Sequence, residues 1–287
     1  MKIVSYNIQY GLGQDGRYDL ERIAETVRDA DIICLQEVER YWQRSGMVDQ
    51  VALLGAALPE FHLVYGANVD MDASYRDGAG RLVRRRQQFG NMVLSRYPIT
   101  TSRNFPLPKR GLIHQHSVQK GLLEAVVDAP GGALRIYCTH LCHLCPETRL
   151  PQIERIKEII GNAVAEGAAW NGAHPDDTAG WIERPAHPMP EAFFLAGDMN
   201  CTADSAEYAA LVGPYAPGFG RLVTPAGYVD AWVAAGQQER EGDTRSGRKI
   251  DHLFCTAPLS EAIQSAWIDT ASIGSDHQPL FVQIQPR

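Results

Sequence analysis

Ala192-Phe193-Phe194-Leu195-Ala196-Gly197-Asp198-Met199-Asn200 is a short apolar run that stops on a polar block. The first five residues carry no charge and read as a strand buried on both faces. Taken alone, Gly-Asp-Met-Asn is a tight turn. The pattern recurs, however, from one end of the chain to the other. Ser5-Tyr6-Asn7-Ile8 follows the run from Lys2, and Leu35-Gln36-Glu37-Val38 follows Ile32–Leu35. Thr139-His140-Leu141, Lys249-Ile250-Asp251-His252 and Ser275-Asp276-His277 complete the series. A sheet protein builds its active site at strand ends, and carboxylates, amides and imidazoles gathered there suit a hard cation and a phosphate ester.

Between these blocks the periodicity alternates. Asp19 to Asp29 has helical spacing in Leu20, Ile23, Ala24 and Val27, with Asp19 as N-cap. Residues 48–58 read as a second helix. Pro146 to Val164 is the longest, with Ile153, Ile156, Ile159 and Ile160 on one face. Residues 61–66, 92–95, 118–127, 134–139, 250–255 and 280–284 read as further strands. Patterning gives an α/β protein with mixed sheets. With 287 residues and 45% hydrophobic content the chain can bury a sizeable core, so one domain over 1–287 is expected. Ala168 to Pro190, rich in Gly, Pro, His and Trp, reads as a loop insertion at 168–190 bordering the active-site mouth, where Trp170 and Trp181 would contact substrate or anchor the loop.

No run of 18 apolar residues occurs and the first residues lack a secretory pattern, so a cytoplasmic protein without a membrane span is expected. Six cysteines in this length read as reduced thiols. The net charge of −7 disfavours binding to long duplex nucleic acid. Glu37, Asp198, Asp251 and Asp276, crowded together, would need a cation to coexist. Arg81 to Arg86, with four arginines, either steers an anionic substrate or is a solvated hairpin.

In this order the blocks resemble the endonuclease/exonuclease/phosphatase superfamily of metal-dependent phosphoesterases. Phe89-Gly90-Asn91-Met92-Val93-Leu94-Ser95-Arg96-Tyr97-Pro98-Ile99 and the Arg149 and Gln152 spacing after His140 extend the similarity over residues 2–284. Met199 departs from it, since many members carry Phe there. The resemblance implies a four-layer α/β sandwich, two packed mixed β-sheets flanked by helices, with the site in a cleft at one edge. It also implies Mg²⁺- or Mn²⁺-dependent hydrolysis of a phosphodiester by in-line attack of water, without a covalent intermediate.

Glu37 is the expected metal ligand, with Asn7 as its partner through an amide oxygen and Asp276 on the metal side. Asp198 is suited to orient or deprotonate water, and Asn200, two residues on in an extended segment, to donate to a phosphate oxygen. His277 resembles the family's catalytic histidine oriented by Asp251; a base and a phosphate-binding cation are both open roles. His140 is the second phosphate donor. Lys120 and Arg149 would reach the phosphate, although Arg149 at a helix start would equally pair with a carboxylate. Cys142-x-x-Cys145, with Cys138, His140 and His143, has zinc spacing but no second pair, and ordinary thiols are the preferred reading. His252 points to the opposite strand face from Asp251; His114, His116, His174 and His187 have no assigned partner.

For substrate, the acidic charge and the Trp-bearing insertion favour a small phosphodiester or phosphorylated headgroup, with no obligate protein partner. The alternatives are a nuclease on single-stranded or short nucleic acid, a phosphomonoesterase, and a phosphate-binding scaffold without turnover.

Overall fold

The computed structural model describes residues 1–176, 178–180, 189–222, 224 and 227–285. In chain order the strands are β1 (Lys2–Asn7), β2 (Ile32–Arg40), β3 (His62–Asp72), β4 (Tyr75–Arg76), β5 (Leu82–Val83), β6 (Arg86–Ser95), β7 (Ile99–Pro106) and β8 (Gly121–Ala129). They continue with β9 (Gly132–His140), β10 (Phe193–Asp198), β11 (Tyr215–Ala216), β12 (Gly220–Arg221), β13 (Val229–Asp230), β14 (Asp251–Cys255), β15 (Ile263–Ile268) and β16 (Leu280–Ile284). The main helices are α1 (Leu20–Val27), α2 (Gln50–Ala57), α3 (Pro146–Glu166) and α4 (Ala206–Val212).

Two six-stranded mixed sheets, ordered β15-β16-β1-β2-β6-β3 and β13-β14-β10-β9-β8-β7, pack face to face. Ile3, Ile32, Cys34, Ile136, Phe194 and Leu253 fill the space between them. Their sequence neighbours turn outward: Val4, Ile33 and Leu35 meet Ile23, Val27 and Leu54 of α1 and α2. Tyr137, Leu195 and Phe254 meet Ile153, Ile156 and Ile160 of α3 on the other side. Both faces of the central strands are therefore buried, which is why they read as continuous apolar runs. The four-layer α/β sandwich follows.

Each sheet has one parallel pair at its centre, β1 with β2 and β9 with β10. These pairs point the same kind of polar group to one cleft. In the second sheet His140 lies beside Asp198, and Asp198 beside Asp251, so three neighbouring strands deliver three functional groups in register. In the first, Asn7 lies beside Gln36. The strand expected to end at Gln36-Glu37 instead runs on to Arg40 through a bulge between Leu35 and Val38, where Glu37 takes φ +62°. A bulge re-aims one side chain without ending the strand. Gly197 is required by close approach: a Cβ there would lie 1.9 Å from Thr139 O on β9. Asn91 donates to Gly121 O (3.1 Å) and Cys138 O (3.2 Å), tying the first sheet to the second beneath the cleft.

The Arg81–Arg86 run lies on the β4–β5 hairpin and its exit, where Arg81 pairs with Asp77 and Arg86 with Asp70. Of the expected 168–190 insertion, residue 177 and residues 181–188, Trp181 included, lie outside the described residues.

Candidate active site

Asp198, 1% exposed, is the hub of the cleft floor. Its Oδ1 accepts from Asn200 N (2.9 Å) and its Oδ2 from Asn7 Nδ2 (3.0 Å). Two imidazoles approach the same Oδ2, His140 Nε2 at 3.4 Å and His277 Nε2 at 3.7 Å. His277 is fixed from behind by Asp251 Oδ2, 2.8 Å from its Nδ1. Its loop is tied to β1 through Ser275, whose hydroxyl donates to Asn7 O (2.7 Å) and accepts from His277 N (3.2 Å). The surrounding cleft holds about 700 Å³, within the range of small-ligand sites, and Glu37, Lys120, Asn200, Arg245 and Asp276 also line it.

Burial and charge set distinct states on these groups. Burial, reinforced by the charge of Asp251, pushes the Asp198 carboxyl up to about 6 against the opposing pull of His277. Burial works against a charge on His277, but Asp251, Asp198 and Asp276 outweigh it and hold its imidazole up at about 9. His140 is pushed well below the ordinary histidine range by burial and by the nearby Lys120 and His277 charges. Burial also lowers the Lys120 ammonium, with Glu37 and Asp198 pulling the other way.

The match to the family model of the endonuclease/exonuclease/phosphatase family covers residues 4–277. The chain belongs to this family. Solved structures of similar fold include a family member from Bacteroides vulgatus, 18% identical with a TM-score of 0.65, covering 100% of this chain and 98% of that one. A mannosyl-6-phosphatase from Bacteroides thetaiotaomicron is 15% identical, TM-score 0.65, with 99% of each chain covered. Truncated Caenorhabditis elegans TDP2 is 16% identical, TM-score 0.57, covering 98% of this chain and 95% of that one. No curated protein matches significantly.

As a member of the endonuclease/exonuclease/phosphatase family, the chain brings Asp198, Asn200, His140, His277, Glu37, Asp276 and Lys120 to one cleft. Asp251 stands directly behind His277. Two of the expected residues have other partners in the structure. Arg149 is committed elsewhere: it pairs with buried Glu207 at 2.6 Å and donates to Cys142 O at 3.2 Å. With Gln152, whose Oε1 accepts from Cys142 N at 2.9 Å, it braces the segment that follows His140. Asn7 meets both carboxylates with its N–H group, Glu37 at 3.3 Å and Asp198 at 3.0 Å, while its oxygen accepts from Gln9 N. It spaces the two carboxylates as a donor; its amide oxygen is turned away from the expected ligand role.

Asn200 also differs in its route to the cleft. The strand ends at Asp198, and Asn200 takes φ +50° in a turn, with Nδ2 donating to Leu141 O at 3.0 Å. The turn reading of Gly-Asp-Met-Asn thus holds, and the turn carries Asp198 and Asn200 to the cleft. The cysteines are all free, and Cys138 lies buried between the sheets, 3.2 Å from Gln36 Nε2. Sequence reasoning passed over Arg245, which pairs with Asp276 at 2.6 Å, and over Tyr10 and Trp42; Phe89, His116 and His143, named there without a place in the site, also line the cleft walls.

The donors fit a hard divalent cation at Glu37. It is a carboxylate open to the cleft, one-fifth exposed, beside a second buried carboxylate and within a set dominated by oxygen. Among the described residues Asp198, Asp251 and His277 also lie within 4.8 Å of one another. Within that triad Asp251 Oδ2 lies 2.8 Å from His277 Nδ1.

Proposed function

We propose that the cleft hydrolyses a phosphodiester by in-line attack of water, with Mg²⁺ or Mn²⁺ held by Glu37 on the side of Asp276. The convergence of two imidazoles and one amide on a single buried carboxylate oxygen of Asp198 carries this reading. When bound, the cation supplies positive charge to the non-bridging oxygens of the phosphate. Asp198, with a carboxyl near 6, is ionised at neutral pH yet basic enough to take a proton from water. His277, charged at neutral pH and steered by Asp251, donates its Nε2–H to phosphate. His140, Asn200 and Lys120 supply further donors to the same oxygens, and Asn7 keeps Glu37 and Asp198 in register.

The acidic chain and the cleft of about 700 Å³ support a small phosphodiester or phosphorylated headgroup over a long duplex. The rings of Tyr10, Trp42 and Phe89 on one wall support a second reading, a short single-stranded nucleic acid. The test is turnover of methyl p-nitrophenyl phosphate and of the matched monoester with Mg²⁺, Mn²⁺ or chelator. Diester cleavage that needs metal and falls about 10³-fold in Asp198→Asn is expected. Preference for the monoester would replace the diester reading with a phosphomonoesterase. Phosphate binding without turnover on any ester would leave a scaffold.

A further inference from the structure

One wall of the cleft gathers three aromatic rings and a guanidinium. The guanidinium carbon of Arg44 lies 4.0 Å from the Tyr10 ring centre and 4.9 Å from that of Trp42. Trp42 meets Phe89 edge-on with ring centres 6.5 Å apart, and Lys120 Nζ is 6.0 Å from the Phe89 ring centre. The wall is therefore continuous with Lys120, one of the cations of the phosphate end, and all five side chains line the cleft that contains Asp198.

Its parts are held in place before any ligand arrives. The indole N–H of Trp42 donates to Gln88 O at 2.7 Å, which fixes the ring. Arg44 forms an ion pair with Glu39, a fully buried carboxylate whose other oxygen accepts from Ser45 Oγ at 2.8 Å. Side chains already ordered lose little entropy when they contact a ligand. The charge of Arg44 is thus compensated from behind, and its side chain, 43% exposed, remains open to the cleft.

This arrangement discriminates between kinds of organic group. An aromatic cage for a quaternary ammonium needs open ring faces. Here a guanidinium already lies over Tyr10 and Trp42, and a second cation would meet like charge. A planar π group instead meets a guanidinium and aromatic rings, both favourable partners. We propose that the Tyr10–Arg44–Trp42–Phe89 wall is the subsite for a planar aromatic group carried by the phosphoester, an aryl group or a nucleobase, and that it disfavours cationic headgroups. This rests on the phosphoester reading of Asp198 and its neighbours and narrows it.

The experiment measures binding of inorganic phosphate, methyl phosphate, phenyl phosphate, thymidine monophosphate and phosphocholine to the full chain with Mg²⁺ by calorimetry. Phenyl phosphate or thymidine monophosphate is expected to bind about tenfold more tightly than methyl phosphate, with phosphocholine no tighter than methyl phosphate. Whichever aromatic ligand is stronger identifies the source of the ring. In Trp42→Ala the aromatic advantage should fall to within about twofold, with methyl phosphate unchanged. Tyr10→Asn, which removes the other ring at a position of positive φ that Asn tolerates, provides a second variant if the first does not fold. Tighter phosphocholine, or an aromatic advantage that survives in both variants, would overturn the subsite. Failure of inorganic phosphate itself to bind would overturn the phosphoester reading, and the subsite with it.

Discussion

His277 and His252 are both buried and both beside an aspartate, yet their imidazoles are shifted in opposite directions. His277 Nδ1 is 2.8 Å from Asp251 Oδ2, and the surrounding carboxylates overcome burial to hold it at about 9. His252 Nδ1 is 3.6 Å from Asp230 Oδ2, but burial and Lys249, whose Nζ is 2.9 Å away, push its imidazole below the ordinary range. Asp230 is itself held well below the usual carboxylate range against burial, by Lys249, His252 and Tyr208. A carboxylate raises a histidine only when no stronger cation has claimed it. The free nitrogens differ accordingly: His277 Nε2 faces Asp198 in the cleft, whereas His252 Nε2 is closed off by Cys201 O at 2.9 Å. Asp251 and His252, adjacent on β14, serve the two sides of the same strand.

The strongest way to break this contrast is to remove each histidine. His277→Ala should lower kcat about 10³-fold per folded molecule, while His252→Gln leaves kcat per folded molecule within about threefold and lowers stability. Steady-state kinetics normalised to folded fraction separates the two. Next, Lys249→Met removes the cation that decides the His252 state. It should destabilise the fold by about 3 kcal/mol in denaturant unfolding, because Asp230 then stays buried without its main partner. In the same variant the His252 imidazole should move up, read by NMR titration.

Acid–base linkage gives a third test. His277 is raised from 6.5 to about 9, so its contribution is complete below about pH 6.5 and is lost as pH rises through about 9. Asp198, an acid raised from 3.8 to about 6, gives stability that is lost as pH rises through about 6. With chelator present, thermal stability should therefore decline from pH 6.5 to 9 by up to about 3 kcal/mol, and His277→Ala should flatten that limb. A flat wild-type profile over this window would remove the charged state assigned to His277. The smallest effect is Tyr208→Phe, which deletes the 2.8 Å bond to Asp230 and should cost about 1 kcal/mol without changing turnover.

Much of the candidate site was legible because its residues fall in local blocks. His140 and Asp198 end their strands as the block pattern expects, whereas Glu37 reaches the same cleft from a mid-strand bulge and His277 from the loop before β16; the wrong-face reading of His252 agrees with its burial away from the cleft. What was not legible depends on contacts remote in sequence. Arg149 reads equally as phosphate donor or structural pair until Glu207, 58 residues on, closes the choice. The bulge at Glu37 has no glycine to announce its positive φ. The aromatic wall draws Tyr10, Trp42 and Phe89 from three separate segments, and no periodicity links them.

The most direct measurement is hydrolysis of methyl p-nitrophenyl phosphate with Mg²⁺ and with Mn²⁺ by wild type, His277→Ala and His252→Gln in parallel, each with a chelator control. Metal-dependent turnover that is lost in His277→Ala and kept by folded His252→Gln is the predicted result. Equal turnover in wild type and His277→Ala, or turnover indifferent to chelator, would contradict the account.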